Sequence, residues 1–126
     1  MCGIAGFYKN NAHYLSNPRH YENTLKHMTE ALKHRGPDDN GTILCDKCGL
    51  AHTRLAIIDP KNASQPMTKE LSQYKYHIVY NGEVYNLNEL KQDLKLRGVT
   101  PKTNSDTEVL LNLEQALSKK QMEYFL

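Results

Sequence analysis

From its third residue the chain is small and apolar, Gly3-Ile4-Ala5-Gly6, and then meets Phe7 and Tyr8. An apolar run this short reads as a buried strand rather than a helix. A strand at the very start sets the N-terminus in the core, where chain ends are usually frayed, and every later element has to be built around it. At 126 residues there is chain enough for one core, and a domain of that size buries roughly two-thirds of the surface its unfolded chain exposes. No internal repeat, low-complexity tract or Gly/Ser linker divides the sequence, so residues 1–126 are read as one domain.

Asn17-Pro18 supplies a cap and a first-turn proline, Leu25, Met28 and Leu32 recur at helical spacing, and Arg35-Gly36-Pro37 stops the run. These signals predict a helix from Pro18 to His34. Thr42 to Cys45 and Gly49 to Ile58 read as strands joined by a hairpin turn at Asp46-Lys47, and Tyr76 to Tyr80 as another strand running into Asn81-Gly82. Asn86 and Glu89 stand three apart like a capping box ahead of Leu87, Leu90 and Leu94, with Gly98 as the stop. Ser105 and Glu108 repeat the device before Val109, Leu110, Leu113, Ala116 and Leu117, with Lys119 and Lys120 near the helix end where cations are favourable.

Composition narrows the function classes. With 39% hydrophobic and 24% charged residues the chain is too apolar to be disordered. A formal net charge of +2, from 16 basic and 14 acidic residues spread along the chain, leaves no basic stripe to track a phosphate backbone, so nucleic acid is not an expected partner. Apolar runs such as Leu55 to Ile58 fall far short of the ~20 residues that span a bilayer, so no membrane segment is expected. Neither is a secretory leader, which makes the cytoplasm the default location.

Three cysteines do not make a disulfide framework. Cys45-Asp46-Lys47-Cys48 has the spacing of a zinc or redox pair, but no second pair follows, and a turn that happens to carry two thiols is the simpler reading. The six histidines are scattered, and no metal is predicted. Cys2 taken alone would pass for a small buried hydrophobe. Its position says more: with Met1 removed, it would carry its own α-amine, whose reference pKa of ~7.7–8.0 suits a base for the thiol proton.

Met-Cys-Gly-Ile-Ala-Gly at positions 1–6 resembles the opening of class II glutamine amidotransferases, whose N-terminal cysteine hydrolyses glutamine. Further matches follow in family order: Arg35-Gly36-Pro37-Asp38, the run from His52 through Arg54 to Asp59, Gln65-Pro66, Tyr80 to Asn86, and Ser105 to Val109. The likeness runs from Met1 to about Leu113. Within the class, Arg54-Leu55-Ala56-Ile57-Ile58-Asp59 and Asn81-Gly82-Glu83-Val84-Tyr85-Asn86 resemble glutamine-hydrolysing asparagine synthetases more than glucosamine-6-phosphate synthase or amidophosphoribosyltransferase.

The resemblance implies an α+β fold, the αββα sandwich of N-terminal nucleophile hydrolases, and a glutaminase that turns L-glutamine into glutamate and ammonia through a Cys2 thioester. It implies an oxyanion hole made by the Asn81 side chain and the Gly82 backbone N–H. Arg54 would take the α-carboxylate of glutamine and Asp106 its α-ammonium, with backbone groups of Leu55, Ile57, Ile58 and Glu83 completing the pocket. Each residue also has a plainer reading. Asn81-Gly82 suits a turn, Arg54 a snorkelling side chain, Asp106 a helix cap, and Arg35 a cation on the last carbonyls of a helix.

No cofactor is expected in this segment. The resemblance places ATP and Mg²⁺ in a synthetase domain outside these 126 residues, which would adenylate aspartate and receive the ammonia. Relatives continue with further strands, so the chain reads as truncated after Phe125-Leu126, and an open sheet edge would favour self-association, including a homodimer. Two other functions stay open: a glutaminase serving another acceptor such as a phosphosugar, and a fragment that binds glutamine or a partner without turnover.

Overall fold

The computed structural model describes residues 1–56, 64–71 and 73–117. Gly3–Tyr8 forms the first strand, β1, over the span its composition predicts. A 3-10 turn at Tyr14–Ser16 leads into helix α1, Pro18–Leu32, with Pro18 in the first turn, where a missing N–H costs nothing. The helix stops short of the expected His34. Lys33 N–H bonds to Glu30 C=O (3.2 Å) and Arg35 N–H to Leu32 C=O (2.9 Å), three-residue closures that tighten the end into a turn.

Strands β2 (Asp39–Leu44) and β3 (Cys48–Arg54) form the expected hairpin around Asp46-Lys47. β2 begins earlier than Thr42, because Asp39 and Asn40 pair with Arg54 and Thr53 and are drawn into the ladder by their partners. β3 ends at Arg54 rather than Ile58. Leu55 and Ala56 lie past the ladder, and Ile57 and Ile58 lie outside the described residues. β1 pairs antiparallel with the other side of β3, giving the order β1-β3-β2.

A second, two-stranded sheet pairs β4 (Met67–Leu71) with β5 (Tyr74–Ile78). β4 has no counterpart in the sequence reading, since Thr68-Lys69-Glu70 is too polar to register as a strand. β5 sits two residues earlier than the predicted Tyr76 to Tyr80. The reason is local: the Tyr80 N–H leaves the ladder and donates to the Gln65 side-chain oxygen at 2.6 Å.

Helix α2 spans Leu87–Leu96 and α3 spans Asp106–Leu117. Asn86 flanks α2 without a side-chain cap. The other end is closed by Gly98 at φ +79°, a left-handed conformation that favours glycine. Gly98 N–H bonds to Lys95 C=O (3.0 Å) and Val99 N–H to Leu94 C=O (2.9 Å), the paired closure of a Schellman motif. At α3 the expected Ser105–Glu108 box is replaced by another arrangement. The Glu108 carboxylate accepts from the N–H groups of Lys102 (2.8 Å) and Thr103 (2.7 Å) and from the Thr103 hydroxyl (2.6 Å), so it ties down the entering loop.

α1 packs on the three-stranded sheet, α3 packs on the two-stranded sheet, and α2 packs on α3. The layers follow the α+β order helix, sheet, sheet, helix expected of an αββα sandwich. Leu25 and Ala51 are fully buried on the first side, and Leu94, Val109 and Leu111 anchor the second. The Thr53 hydroxyl donates to Leu32 C=O at 3.1 Å, joining β3 to the end of α1.

Burial raises the Glu108 pKa, but the bonds from Thr103 and Lys102 outweigh it and hold the carboxyl below its ordinary range. A depressed folded-state pKa contributes stability above the unfolded value, and that stability is lost as pH falls through the folded one. Glu108→Ala is expected to cost about 2 kcal/mol near neutral pH and to flatten the acid side of the stability curve, read by urea unfolding across the carboxylate range.

Candidate active site

The site face of the three-stranded sheet follows from the two-residue period of β3. Thr53 points to α1, so His52 and Arg54 point the other way, toward the second sheet. Residues directly opposite in an antiparallel ladder share a face. Ile4 and Gly41 pair with His52, and Cys2 stands one step beyond the Gly3–Thr53 pair, opposite Arg54. Its sulfur accepts from the Leu55 N–H at 3.4 Å and lies 3.8 Å from the Leu55 carbonyl oxygen. Cys2, Arg54 and Leu55 are therefore together at the end of β3, with Arg54 only 6% exposed.

The segment Arg35 to Asp38 builds the support for this corner. Arg35 Nε donates to the Cys2 carbonyl oxygen at 3.2 Å, so the side chain bonds the Cys2 backbone, while the Arg35 N–H closes the end of α1. Pro37 bridges to Arg54 in parallel. The Asp38 N–H donates to Arg54 C=O (3.0 Å), and the Asp38 carboxylate accepts from Ala56 N–H (2.8 Å). Arg54 to Ala56 are held from one side along their backbone.

The other predicted residues gather around Tyr80. A β-carbon on Gly82 would meet the Tyr80 hydroxyl at 2.6 Å, so a side chain there requires the Tyr80 ring to move. Burial raises the Tyr80 pKa, and the charges of Asp106 and then Glu83 raise it further, which puts both carboxylates close to the phenol. Asp106 is the first residue of α3 and accepts from the Thr107 N–H at 2.8 Å. Among the described residues no hydrogen bond joins Asn81 or Gly82 to Cys2. Two clefts of about 230 and 440 Å³ lie elsewhere, between α1 and β2, lined by Lys26, Thr29 and Asn40 among others, and neither includes a predicted site residue.

What holds the Tyr80 group together is a side chain the sequence reading did not assign to the site. Gln65 Oε1 accepts the Tyr80 N–H (2.6 Å) while its Nε2 donates to the Thr107 hydroxyl (3.1 Å). His52, 1% exposed, lies near the Tyr80 backbone, with its Nε2 buried and without a hydrogen-bond partner among the described residues. Tyr80 is thus held from the loop before β4 and, through Gln65, from the start of α3. Gln65 and His52 do stand inside the recurring motifs, but their neighbours are distant in sequence, and spacing alone does not reveal them.

Burial lowers the His52 pKa, the nearby Tyr80 backbone works against that, and Arg54 adds to the lowering. The unfolded chain therefore takes up the proton more readily, and stability falls as pH drops through the ordinary histidine range. His77 is lowered as well, first by burial, and contributes in the same direction. In His52→Gln the slope of unfolding free energy against pH, measured between about pH 7 and 5, is expected to flatten. Gln65→Ala, which orphans a buried N–H and a hydroxyl, is expected to cost about 1–3 kcal/mol in the same measurement.

The chain was compared with known proteins. The model of the glutamine amidotransferase domain family matches residues 1–125. Asparagine synthetase (glutamine-hydrolyzing) 1 of Bacillus subtilis is 41% identical over 111 residues, which are 88% of this chain and 17% of that protein. Asparagine synthetase (glutamine-hydrolyzing) of Zea mays is 44% identical over 79 residues, 63% of this chain and 13% of that protein. A putative asparagine synthetase of Methanocaldococcus jannaschii is 39% identical over 100 residues, 66% of this chain and 19% of that protein. The chain spans less than a fifth of the length of these curated relatives. With a matching arrangement of layers and a family model that covers all but the final residue, the chain belongs to the glutamine amidotransferase domain family.

Proposed function

We propose that this chain hydrolyses L-glutamine to glutamate and ammonia, with Cys2 as nucleophile. The observation that carries the reading is the position of Cys2: it stands at the end of β1, opposite the buried Arg54, with its sulfur beside the Leu55 N–H. Met1 is 72% exposed, open to removal, and its loss makes the α-amine that of Cys2. The amine then takes the thiol proton, and the sulfur attacks the side-chain amide carbon of glutamine.

The resulting oxyanion is met by the Asn81 side-chain amide and the Gly82 N–H. The tetrahedral species collapses as the amine returns the proton to the leaving nitrogen, giving ammonia and a γ-glutamyl thioester. Water adds to the thioester, and glutamate leaves with the thiol restored. Arg54 receives the α-carboxylate in a bidentate fork, and Asp106, with Glu83 nearby, receives the α-ammonium. The Leu55 backbone lines part of the remainder; Ile57 and Ile58, which the resemblance adds, lie outside the described residues. Tyr80 sits at the base of this acidic side and fills the space that a side chain at position 82 would need.

The relatives carry the names of asparagine synthetases, which supports delivery of the ammonia to a synthetase domain that uses ATP and Mg²⁺ to activate aspartate. The reaction belongs in the cytoplasm, whose reducing conditions keep Cys2 a thiol. A second reading follows from Met1 itself. While it is attached, Cys2 has no free α-amine, and the same pocket binds glutamine without turning it over.

The test is mass spectrometry of the protein after exposure to a diazo-ketone glutamine analogue, together with ammonia release. Stoichiometric label on Cys2, blocked by glutamine and absent from Cys2→Ala, is the expected outcome, and label-free protein with Met1 removed would refute the proposal. Asn81→Ala is expected to lower kcat by about 10²–10³ while leaving KM nearly unchanged, as loss of one oxyanion donor does. Arg54→Lys is expected to raise KM instead, because an ammonium cannot reproduce the fork.

A further inference from the structure

Cys45 and Cys48 lie at the far end of β3 from Cys2 and take no part in the proposed hydrolysis. They close the β2–β3 hairpin, with the Cys45 N–H donating to the Cys48 carbonyl at 2.7 Å. One step further along the ladder Leu44 pairs with Gly49, so the two cysteines oppose each other and present their thiols on one face of the sheet. Both are partly exposed, and both are free thiols.

The turn between them is fixed from outside. The Asp46 carbonyl accepts from Tyr14 N–H (2.8 Å) and the Lys47 carbonyl from Lys9 N–H (3.0 Å). The Asp46 carboxylate meets His13 Nδ1 at 3.1 Å and Leu15 N–H at 3.4 Å. This clasp holds the backbone that bears the thiols, so their approach does not wait on loop fluctuation. Among the described residues no group of three His, Cys, Asp or Glu side chains converges to hold a metal, which leaves the chemistry of two thiols.

We propose that Cys45 and Cys48 form a reversible redox site, closing to an intramolecular disulfide across the hairpin turn with a low-molecular-weight disulfide of the glutathione class as oxidant. Cys45 and Cys48 make one of the two bonds of a hydrogen-bonded antiparallel pair, whose Cα atoms stand about 5.5 Å apart, within the ~4.4–6.8 Å that a disulfide spans. The Cβ atoms of such a pair stand about 4.5–5.5 Å apart, against ~3.5–4.5 Å in a disulfide. Closure must draw them together, but the clasped turn already holds the backbone face to face, so the folded chain loses less conformational entropy on closing than an unfolded one, and the partly exposed sulfurs stay open to exchange in both directions.

In the forward reaction one cysteine, as thiolate, attacks a sulfur of oxidised glutathione. A mixed disulfide forms and one glutathione thiolate leaves. The second cysteine, losing its proton, attacks the protein-side sulfur and expels the second glutathione thiolate. The protein gives up two electrons and two protons, and these appear in two molecules of reduced glutathione. Burial raises the Cys45 pKa, the Cys48 thiol raises it further, and Lys75 works against both, so Cys45 is suited to the second step. The site does not depend on the glutaminase reading.

The experiment equilibrates the full chain in buffers of graded oxidised-to-reduced glutathione ratio, traps free thiols with N-ethylmaleimide, and reads intact mass and peptide maps. The expected result is loss of two hydrogens with Cys45 and Cys48 joined and Cys2 still alkylated. The ratio for half-oxidation is expected to be at least about tenfold lower for the folded chain than in urea, the factor that a shift of 30 mV represents for a two-electron couple. Cys45→Ser and Cys48→Ser would each abolish the product, while Cys2→Ser would leave it. Glutathione adducts on single cysteines without closure, a bond from Cys2 to either thiol, or equal midpoints for folded and unfolded chain would each overturn the proposal.

Discussion

Everything in this fold is hung on β3. Among the described residues it is the one strand paired on both edges, with α1 against one face and the second sheet toward the other, and Ala51, His52, Thr53 and Arg54 are all buried. An unpaired buried polar group costs about 1–3 kcal/mol there. Thr53 avoids that cost by bonding to the end of α1, whereas His52 Nε2 stays buried without a partner among the described residues. Thr53 thus connects the central strand to the helix layer.

The second consequence is electrostatic. The first sheet brings a buried guanidinium, Arg54, to the cysteine corner, while the far wall carries Glu83 and Asp106 around the Tyr80 phenol. The cationic corner and the acidic group around Tyr80 thus belong to different halves of the fold.

Much of this was legible in the sequence, and the failures have physical causes. β1 and α1 were found because their signals are local: small residues in a row, a proline in a first turn, leucines at helical spacing. β4 was missed because Lys69 and Glu70 look like solvent residues until one knows that Lys69 donates to the buried Asn112. Asp38 and Arg35 were visible as a motif whose purpose was not, since their bonds run to Ala56 and Cys2. Ser105 and Glu108 had the right spacing for a reciprocal cap, yet Glu108 found three donors in the preceding loop instead. Gln65 is the clearest case: its amide spans Tyr80 and Thr107, and no window of sequence contains both partners.

That amide has a bearing on how the molecule comes together. The turn after β5 has no regular pairing of its own. It is held by the Gln65 side chain, which arrives from the loop before β4 and ties it to the start of α3. The helices and hairpins carry their own hydrogen bonds, whereas this turn takes its shape from a contact between segments far apart in the chain.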